Sequence, residues 1–173
     1  LSGIATLTNS FVKAVKGTDA KIVDTRKTTP NFRIFEKYAV LMGGGHNHRF
    51  GLYDAVLIKD NHISIAGGIR KAVAVARQNI PHTMKIEAEA KSLKEVKDAL
   101  ASGADIIMLD NMSVAMMKKS VAMINKKAVV EASGNINLKN VRDAALTGVD
   151  IISIGALTHS YKAVQMSMEI TRR

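Results

Sequence analysis

Short apolar runs alternate with longer stretches of helical periodicity throughout the 173 residues of this chain. Six runs have the length and apolar character of buried strands, at residues 21–24, 55–58, 84–88, 106–109, 128–130 and 151–154. Apolar positions three or four residues apart predict helices over 4–15, 32–42, 65–77 and 163–170, and three more that begin at the capping residues Ser92, Ser113 and Asn137. The pattern is therefore strand and helix in alternation.

The last four predicted strands are evenly spaced, beginning at residues 84, 106, 128 and 151, so that each unit is 22 or 23 residues long. Such alternation predicts a parallel sheet with right-handed crossovers. Short units without a glycine-rich dinucleotide fingerprint favour a barrel over a Rossmann sheet, and six strands are fewer than the eight of a complete barrel. We therefore predict an α/β fold, an incomplete (β/α) barrel of parallel strands with at least six strands, in one domain over residues 1–173.

Ionisable residues cluster where the first predicted strands end. Residues 24–27 follow the first strand, residues 59–62 follow the second, and residues 46–49 follow three consecutive glycines. In α/β folds the residues just after parallel strands share one edge of the sheet, where ligands bind. The fixed cations in these clusters indicate a strongly anionic ligand. They are Arg26, Lys27, Arg49 and Lys59.

The later strand ends complete the predicted barrel mouth. Glu89 and Asp110 contribute carboxylates, while residues 133–135 and 155–156 contribute small or amide side chains. Backbone N–H groups at small residues, and the helix N-termini that follow them, can cradle a phosphate. We therefore expect a mouth that is cationic in its first half, acidic in the middle and phosphate-binding at its end.

Three features have more than one interpretation. His46 and His48 form an H-x-H pair that could bind metal, although no third ligand is evident nearby in the sequence. Lys59 could form a Schiff base, as in an aldolase-like barrel, but the neighbouring cations favour anion binding. Glu87 and Glu89 point to the same face of a strand, and an inward pair of carboxylates requires cations or metal as partners.

Composition argues against several classes of protein. The formal net charge of +10 suits a phosphate or carboxylate site, and with 4% aromatic residues and no dense Lys/Arg run we expect no nucleic-acid partner. No apolar run approaches the length of a membrane span and the first residues do not resemble a signal peptide, so we expect neither. The absence of cysteine fits a reducing compartment, and we expect a cytoplasmic protein.

Long motifs in this chain resemble those of the quinolinate phosphoribosyltransferases, the decarboxylating nicotinate-nucleotide pyrophosphorylases of NAD biosynthesis. The motifs are DTRKTTP (24–30), EKYAV followed by GGGHNHR (36–49), GLYDAVLIKDNH (51–62), GADIIMLDNMS (103–113), EASGNI (131–136) and GVDIISIGALTHS (148–160). They are long and ordered and cover essentially the whole chain. The resemblance implies the catalytic domain of that family, which is an incomplete α/β barrel.

The resemblance also implies an activity: phosphoribosyl transfer from phosphoribosyl pyrophosphate to quinolinate, with decarboxylation and with Mg²⁺. The quinolinate pocket corresponds to Thr25, Arg26, His48, Arg49 and Lys59. The phosphoribosyl pyrophosphate site corresponds to Lys27, Glu89, Asp110, Ser133, Gly134, Asn135, Gly155 and Ala156. The implied catalytic residues are Lys27, Lys59, Glu89 and Asp110, of which Glu89 and Asp110 are also the implied Mg²⁺ ligands.

This chain departs from the family pattern at two points. The family has an N-terminal α/β domain that gives an arginine to the neighbouring subunit of a dimer, and this chain begins where the barrel segment begins. We expect a homodimer or a higher homo-oligomer, and the sequence leaves open whether the chain is active alone. The phosphate loop has Asn135 where the family usually has glycine, although asparagine tolerates positive φ.

The residues leave two other functions open. One is a related barrel with another task, such as a paralogue or a Schiff-base lyase that uses Lys59. The other is a non-catalytic module that binds phosphorylated metabolites or polyanions, for which strongly salt-dependent binding is expected.

Overall fold

Six short parallel strands form one sheet in the computed structural model, which describes residues 1–171. The strands are β1 (Lys21–Val23), β2 (Val56–Ile58), β3 (Ile86–Ala90), β4 (Ile106–Asp110), β5 (Val129–Ser133) and β6 (Ile151–Ser153). Their order in the sheet is β1-β6-β5-β4-β3-β2, which leaves β1 and β2 at the edges. The prediction of an α/β fold with at least six parallel strands is confirmed.

Helices connect the strands on the outside of the sheet. They are α1 (Ser2–Ala14), α2 (Arg33–Met42), α3 (Asp60–Ala66), α4 (Ile69–Asn79), α5 (Leu93–Ala101), α6 (Val114–Ile124), α7 (Val141–Ala145) and α8 (Ala156–His159). The single helix predicted over 65–77 is two helices, because Gly67 and Gly68 have φ of +75° and +127° and end the first one. Over residues 1–171, none of the helices has both the length and the apolar character of a membrane span.

Two helix predictions are wrong. The segment 163–170 has no regular structure, and its apolar side chains Met166, Met168 and Ile170 are exposed. A helix this short depends on packing its apolar face, and this segment does not bury one. Asn137 does not cap α7, which begins after Asn140. Its side-chain oxygen instead accepts a bond from the N–H of Lys139, an Asx turn that holds the chain outside the helix.

The sheet curls around a polar interior. His46 extends the β1 edge through one parallel bridge to Val23, and the nearby side chain of His48 contacts Glu87 on β3 and Glu131 on β5. In a flat sheet β3 would lie four strands from β1, roughly 19 Å away. The contacts therefore require the strong curvature of an incomplete barrel.

Strand β3 shows how this barrel separates its two faces. Ile86, Ala88 and Ala90 belong to the apolar core, which also includes Val96 of α5. The alternating residues Glu87 and Glu89 face the barrel interior, and both are buried. Alternation along a strand that is buried on both faces thus places carboxylates inside the barrel.

Candidate active site

A cavity of about 820 Å³ opens at the carboxyl ends of the strands. Every residue that the sequence assigned to the quinolinate and phosphoribosyl pyrophosphate sites lines it: Thr25, Arg26, Lys27, His48, Arg49, Lys59, Glu89, Asp110, Ser133, Gly134, Asn135, Gly155 and Ala156. The cavity thus brings together segments separated by more than a hundred residues. The roles assigned to these residues remain predictions.

The first half of the mouth rests on a buried ion pair. Asp24, directly after β1, accepts a hydrogen bond from Lys37 of α2, and both side chains are almost completely buried. Lys37 Nζ also donates to the carbonyl of His48 at 3.0 Å, and the N–H of His48 donates to Asp24 at 2.9 Å. Burial raises the pKa of Asp24 despite these bonds. The sequence does not identify Lys37, because nothing in a helical pattern distinguishes a buried lysine from an exposed one.

Two arginines lie at this end of the cavity. The Nε atom of Arg26 is buried and has no hydrogen-bond partner, while Arg49 donates from Nη1 to the carbonyl of Ala55 at 3.3 Å. Burial and the nearby charge of Arg26 both lower the pKa of Arg49. Two guanidinium groups this close together repel each other, and an anion between them would relieve the repulsion.

Lys59 pairs with a carboxylate across the mouth. Its Nζ lies 3.7 Å from Glu89 Oε1, and the lysine side chain is half exposed. A Schiff-base lysine is commonly activated by desolvation, which a half-exposed side chain beside a carboxylate does not provide. The contact also supplies the cation that the inward Glu89 requires.

The carboxylates at the middle of the mouth keep oxygens available. Glu89 Oε2 accepts a bond from the N–H of Asp60 at 3.3 Å. Asp110 accepts one from the Asn111 amide at 2.8 Å, and Lys91 Nζ lies 3.8 Å from its other oxygen. These hard oxygen donors are of the kind that fits Mg²⁺, which is usually held by one or two carboxylates together with substrate phosphates.

The far end of the mouth is a tight loop after β5. Gly134 has φ of +90°, and a Cβ there would lie 2.4 Å from Asn111 Oδ1. Asn135, with φ of +52°, donates its amide to the same Asn111 oxygen at 2.9 Å. Ser133 accepts a hydrogen bond from Ser153 of β6 at 3.0 Å. Asn111 therefore joins the loop to the end of β4.

After β6, a second glycine lies in close contact with neighbouring side chains. A Cβ on Gly155 would lie 3.3 Å from Lys27 Cδ and 3.0 Å from His159 Nε2, so Lys27 extends across this glycine. Thr158 fixes the arrangement by donating from its hydroxyl to the carbonyl of Lys27 at 2.7 Å. The expected helix N-termini contribute less, because α7 begins well after Ser133 and α8 has only four residues.

His48 occupies the barrel interior between two glutamates. Its Nε2 lies 3.1 Å from Glu87 Oε2 and 3.3 Å from Glu131 Oε2. Burial opposes protonation of the ring, but the hydrogen bonds that the ring donates to Glu131 and Glu87 outweigh it and raise the pKa of His48 to about 10. Burial likewise raises the pKa of Glu87 to about 7.

A hydrogen bond at the other ring nitrogen of His48 disfavours a second proton on the ring. Nδ1 accepts a hydrogen bond from the backbone N–H of Arg49 at 2.8 Å, so a proton on Nδ1 would point at another donor. The two carboxylates favour the doubly protonated ring and the backbone disfavours it. In both protonation states the ring carries a proton on Nε2, between the glutamates.

The predicted strand-end residues do not all reach the cavity. His46 is exposed and joins β1 through its backbone, so the H-x-H pair does not converge on one site. The cavity is also lined by residues that were not predicted from the sequence, which include Leu57, Met108, Asn111, Glu131, Ser153 and His159. The signal for Glu131 was a lone carboxylate in the otherwise apolar stretch 128–132.

Fold and mouth together define a class of protein: an incomplete (β/α) barrel with a cavity lined by fixed cations and carboxylates at the carboxyl ends of its strands. A family model described as "Quinolinate phosphoribosyl transferase, C-terminal domain" matches residues 4–169. The chain belongs to this family.

Individual relatives agree with this assignment. A probable carboxylating nicotinate-nucleotide pyrophosphorylase from Synechocystis sp. is 49% identical over 99% of this chain and 59% of its own length. Its counterpart from Bacillus subtilis is 46% identical over 99% of this chain and 59% of its own length. The crystal structure of NadC from Streptococcus pyogenes matches with a TM-score of 0.93 at 46% identity, covering 96% of this chain and 59% of that one. The chain thus spans about three fifths of the length of these relatives, 59% in each case.

Proposed function

We propose that this chain forms the barrel of a quinolinate phosphoribosyltransferase, which converts quinolinate and phosphoribosyl pyrophosphate into nicotinate mononucleotide, pyrophosphate and CO₂. One observation carries the proposal: a single cavity joins the cationic first half of the mouth to the glycine-asparagine loop at its far end. The names of the relatives support the same reaction.

The cationic half suits a dicarboxylate. Quinolinate carries two adjacent carboxylates on a pyridine ring, and arginine binds carboxylates through paired hydrogen bonds. Arg26 has a buried nitrogen without a partner, and Arg49 keeps donors beyond the one it gives to Ala55. Lys59 adds a third fixed positive charge at the rim.

The opposite half suits the ribose and diphosphate. Lys27 lies over Gly155, and the loop at residues 133–135, whose backbone N–H groups could bind a phosphate, lines the same cavity. Glu89 and Asp110 would hold Mg²⁺, which when bound neutralises charge on the diphosphate. Glu89 and Asp110 can also bind the ribose hydroxyls.

Each step of the proposed reaction develops a charge that residues of the cavity can stabilise. The bond between the ribose carbon and pyrophosphate breaks, the electron pair leaves with pyrophosphate, and Lys27 holds the leaving group. Glu89 and Asp110 stabilise the positive charge that develops on the ribose. The pyridine nitrogen attacks that carbon, and the cationic ring accepts the electron pair left when the adjacent carboxylate departs as CO₂. A proton replaces the carboxylate on the ring.

Calorimetric titration of the 173-residue chain tests this proposal. We expect quinolinate to bind, phthalate to bind because it has the same adjacent carboxylates, and nicotinate to bind about tenfold or more weakly because it has one. Arg49→Ala should abolish quinolinate binding. Arg70→Ala is the matched control, since Arg70 pairs with Asp98 on the surface.

Release of CO₂ from quinolinate in the presence of phosphoribosyl pyrophosphate and Mg²⁺ tests the chemistry. Equal affinity for nicotinate and quinolinate would contradict the dicarboxylate pocket. Binding without CO₂ release would assign the pocket to this chain and the turnover to a longer protein.

We also propose that the barrel assembles as a homodimer or a higher homo-oligomer. Ile34, Tyr38 and Met42 lie one turn apart on α2 and are 61%, 57% and 61% exposed. Sedimentation should show association that Tyr38→Glu weakens. A monomer at all concentrations would contradict the proposal.

A further inference from the structure

We propose that Asn111 is a positioning residue that couples the carboxylate of Asp110 to the loop at residues 133–135, so that phosphoribosyl pyrophosphate meets the two as one preorganised unit. The inference rests on the proposed function, because it concerns the half of the cavity to which that function assigns the ribose and the diphosphate. The proposed reaction gives Asn111 no task, although this residue lines the cavity.

The backbone of Asn111 places its side chain beside the loop that follows β5. Asn111 directly follows β4, and its N–H donates to the carbonyl of Ser133 at 2.9 Å, which extends the pairing of β4 with β5 by one bond. Its φ of +54° lies in the left-handed region, which asparagine tolerates better than most residues. Strand β4 thus ends in a sharp turn that is tied to the end of β5.

The amide of Asn111 makes one contact with each of the two parts that it joins. Its Nδ2 donates to Asp110 Oδ1 at 2.8 Å, and its Oδ1 accepts from the amide of Asn135 at 2.9 Å. An amide carries donors and an acceptor on one planar group, whereas an ionised carboxylate only accepts and an ammonium group only donates. The position therefore requires an amide if both bonds are to form.

Packing and further hydrogen bonds restrict the loop on the other side of this contact. Gly134 approaches the Asn111 amide so closely that a Cβ there would lie 2.4 Å from Oδ1. The carbonyl of Asn135 in turn accepts from the amides of Asn137 and Asn140, at 3.3 and 3.0 Å. The contacts thus run from a carboxylate on β4 to the residue before α7, and Asn111 joins that carboxylate to the loop.

A direct contact with the substrate is the other role to weigh, because Asn111 lines the cavity. The two roles predict different results for a pair of substitutions. If Asn111 binds the substrate directly, the losses of affinity caused by replacing Asn111 and Asn135 should multiply. If Asn111 transmits the position of the loop, the contribution of the Asn135 amide should disappear once Asn111 is replaced.

Calorimetric titration with phosphoribosyl pyrophosphate and Mg²⁺ measures this coupling. The variants are Asn111→Gly and Asn135→Gly, since glycine adopts φ of +54° and +52° without strain. We expect Asn111→Gly to weaken binding about tenfold, because two hydrogen bonds are lost, and Asn135→Gly about threefold. The double variant should bind as Asn111→Gly alone does. Asn125→Gly, at φ of +46° after α6, is the control and should bind as the wild type does.

Titration of the same variants with quinolinate separates positioning from a general effect on the fold. The affinity for quinolinate should stay within about twofold of the wild type, because the cationic half of the mouth has its own buried supports. A merely structural role would lower the free energy of unfolding without changing the affinity of the folded chain for phosphoribosyl pyrophosphate. Losses that multiply in the double variant, or equal losses for both ligands, would overturn the proposal.

Binding of Mn²⁺, followed by electron paramagnetic resonance, tests the coupling without any substrate. Partners that hydrogen-bond a ligating carboxylate typically contribute tenfold or more to metal affinity, so Asn111→Gly should weaken Mn²⁺ binding about tenfold. Asn135→Gly should weaken it about twofold, and only while Asn111 is present. If phosphoribosyl pyrophosphate does not bind the wild-type chain, the proposed function fails for this chain and the Mn²⁺ titrations still decide the coupling. Absent Mn²⁺ binding, or unchanged or tighter binding in Asn111→Gly, would overturn it.

Discussion

The two halves of the mouth are built in different ways. The half that carries the arginines is a long excursion between β1 and β2, held by buried charges: Asp24 with Lys37, and His48 with Glu87 and Glu131. The half that carries the loop at residues 133–135 lies at the ends of β4 and β5 and is held by neutral amide contacts, such as Asn135 to Asn111. Removing the partner of a buried charge is strongly destabilising, whereas losing a neutral hydrogen bond costs far less free energy. Substitutions in the first half should therefore cause large losses of stability, and substitutions in the second half should cause smaller ones.

Lys37→Met gives the largest expected effect. It leaves Asp24 buried without its cation and removes a donor from the His48 carbonyl, so the free energy of unfolding should fall by about 3–5 kcal/mol. Urea denaturation measures the loss. Lys85→Met is the control, since the pair of Lys85 with Asp105 is exposed and should contribute at most about 1 kcal/mol. Adding Asp24→Asn to Lys37→Met should recover part of the loss, and equal effects of the two lysine variants would remove the contrast between the halves.

Glu87→Gln tests the buried charges of the first half through the pH dependence of stability. The pKa of Glu87 is raised from 4.5 to about 7, so the folded state binds this proton more tightly than the unfolded state does. Its contribution to stability is complete below pH 4.5 and is lost as the pH rises towards 7. The wild-type chain should therefore lose up to about 3 kcal/mol relative to Glu87→Gln across that interval.

Urea denaturation at pH 4.5, 6 and 8 would measure this difference. Glu169→Gln should follow the wild type at every pH, because its side chain is exposed. A constant difference between the wild type and Glu87→Gln would show that this carboxyl does not titrate in the interval.

The same contrast explains what sequence could predict. Strand positions follow from apolar runs, the last four at a spacing of 22 or 23 residues, and at least one residue after each run lines the same cavity. The buried polar contacts do not follow from local pattern, because Lys37 lies on a helix and its partners lie on a strand end and a loop. Periodicity also failed over 163–170, where the pattern is helical but the apolar side chains pack against nothing that would hold a helix.

Gly134→Ala tests the second half. Alanine at φ of +90° is strained, and its Cβ would overlap the Asn111 amide, so the variant should cost about 2 kcal/mol more than the control. Gly103→Ala is that control: its φ is +75°, but a Cβ there meets no atom within 4 Å. Both are compared by urea denaturation, and adding Asn111→Ala should relieve only the overlap. Equal losses of stability in the two glycine variants would show that the loop accommodates the added Cβ at no cost in free energy.

Asn135→Gly gives the smallest expected effect and tests how this loop tolerates an asparagine. Glycine would relieve the strain at φ of +52° but remove the amide bond to Asn111, and the two changes should nearly cancel, to within about 0.5 kcal/mol. Asn125→Gly is the matched control, because Asn125 has φ of +46° at the end of α6, where glycine is favoured. Asn125→Gly should therefore be the more stable of the two by about 1 kcal/mol in urea denaturation. Equal stability would mean that the amide bond contributes nothing, and that Asn135 is retained for the backbone conformation that it shares with glycine.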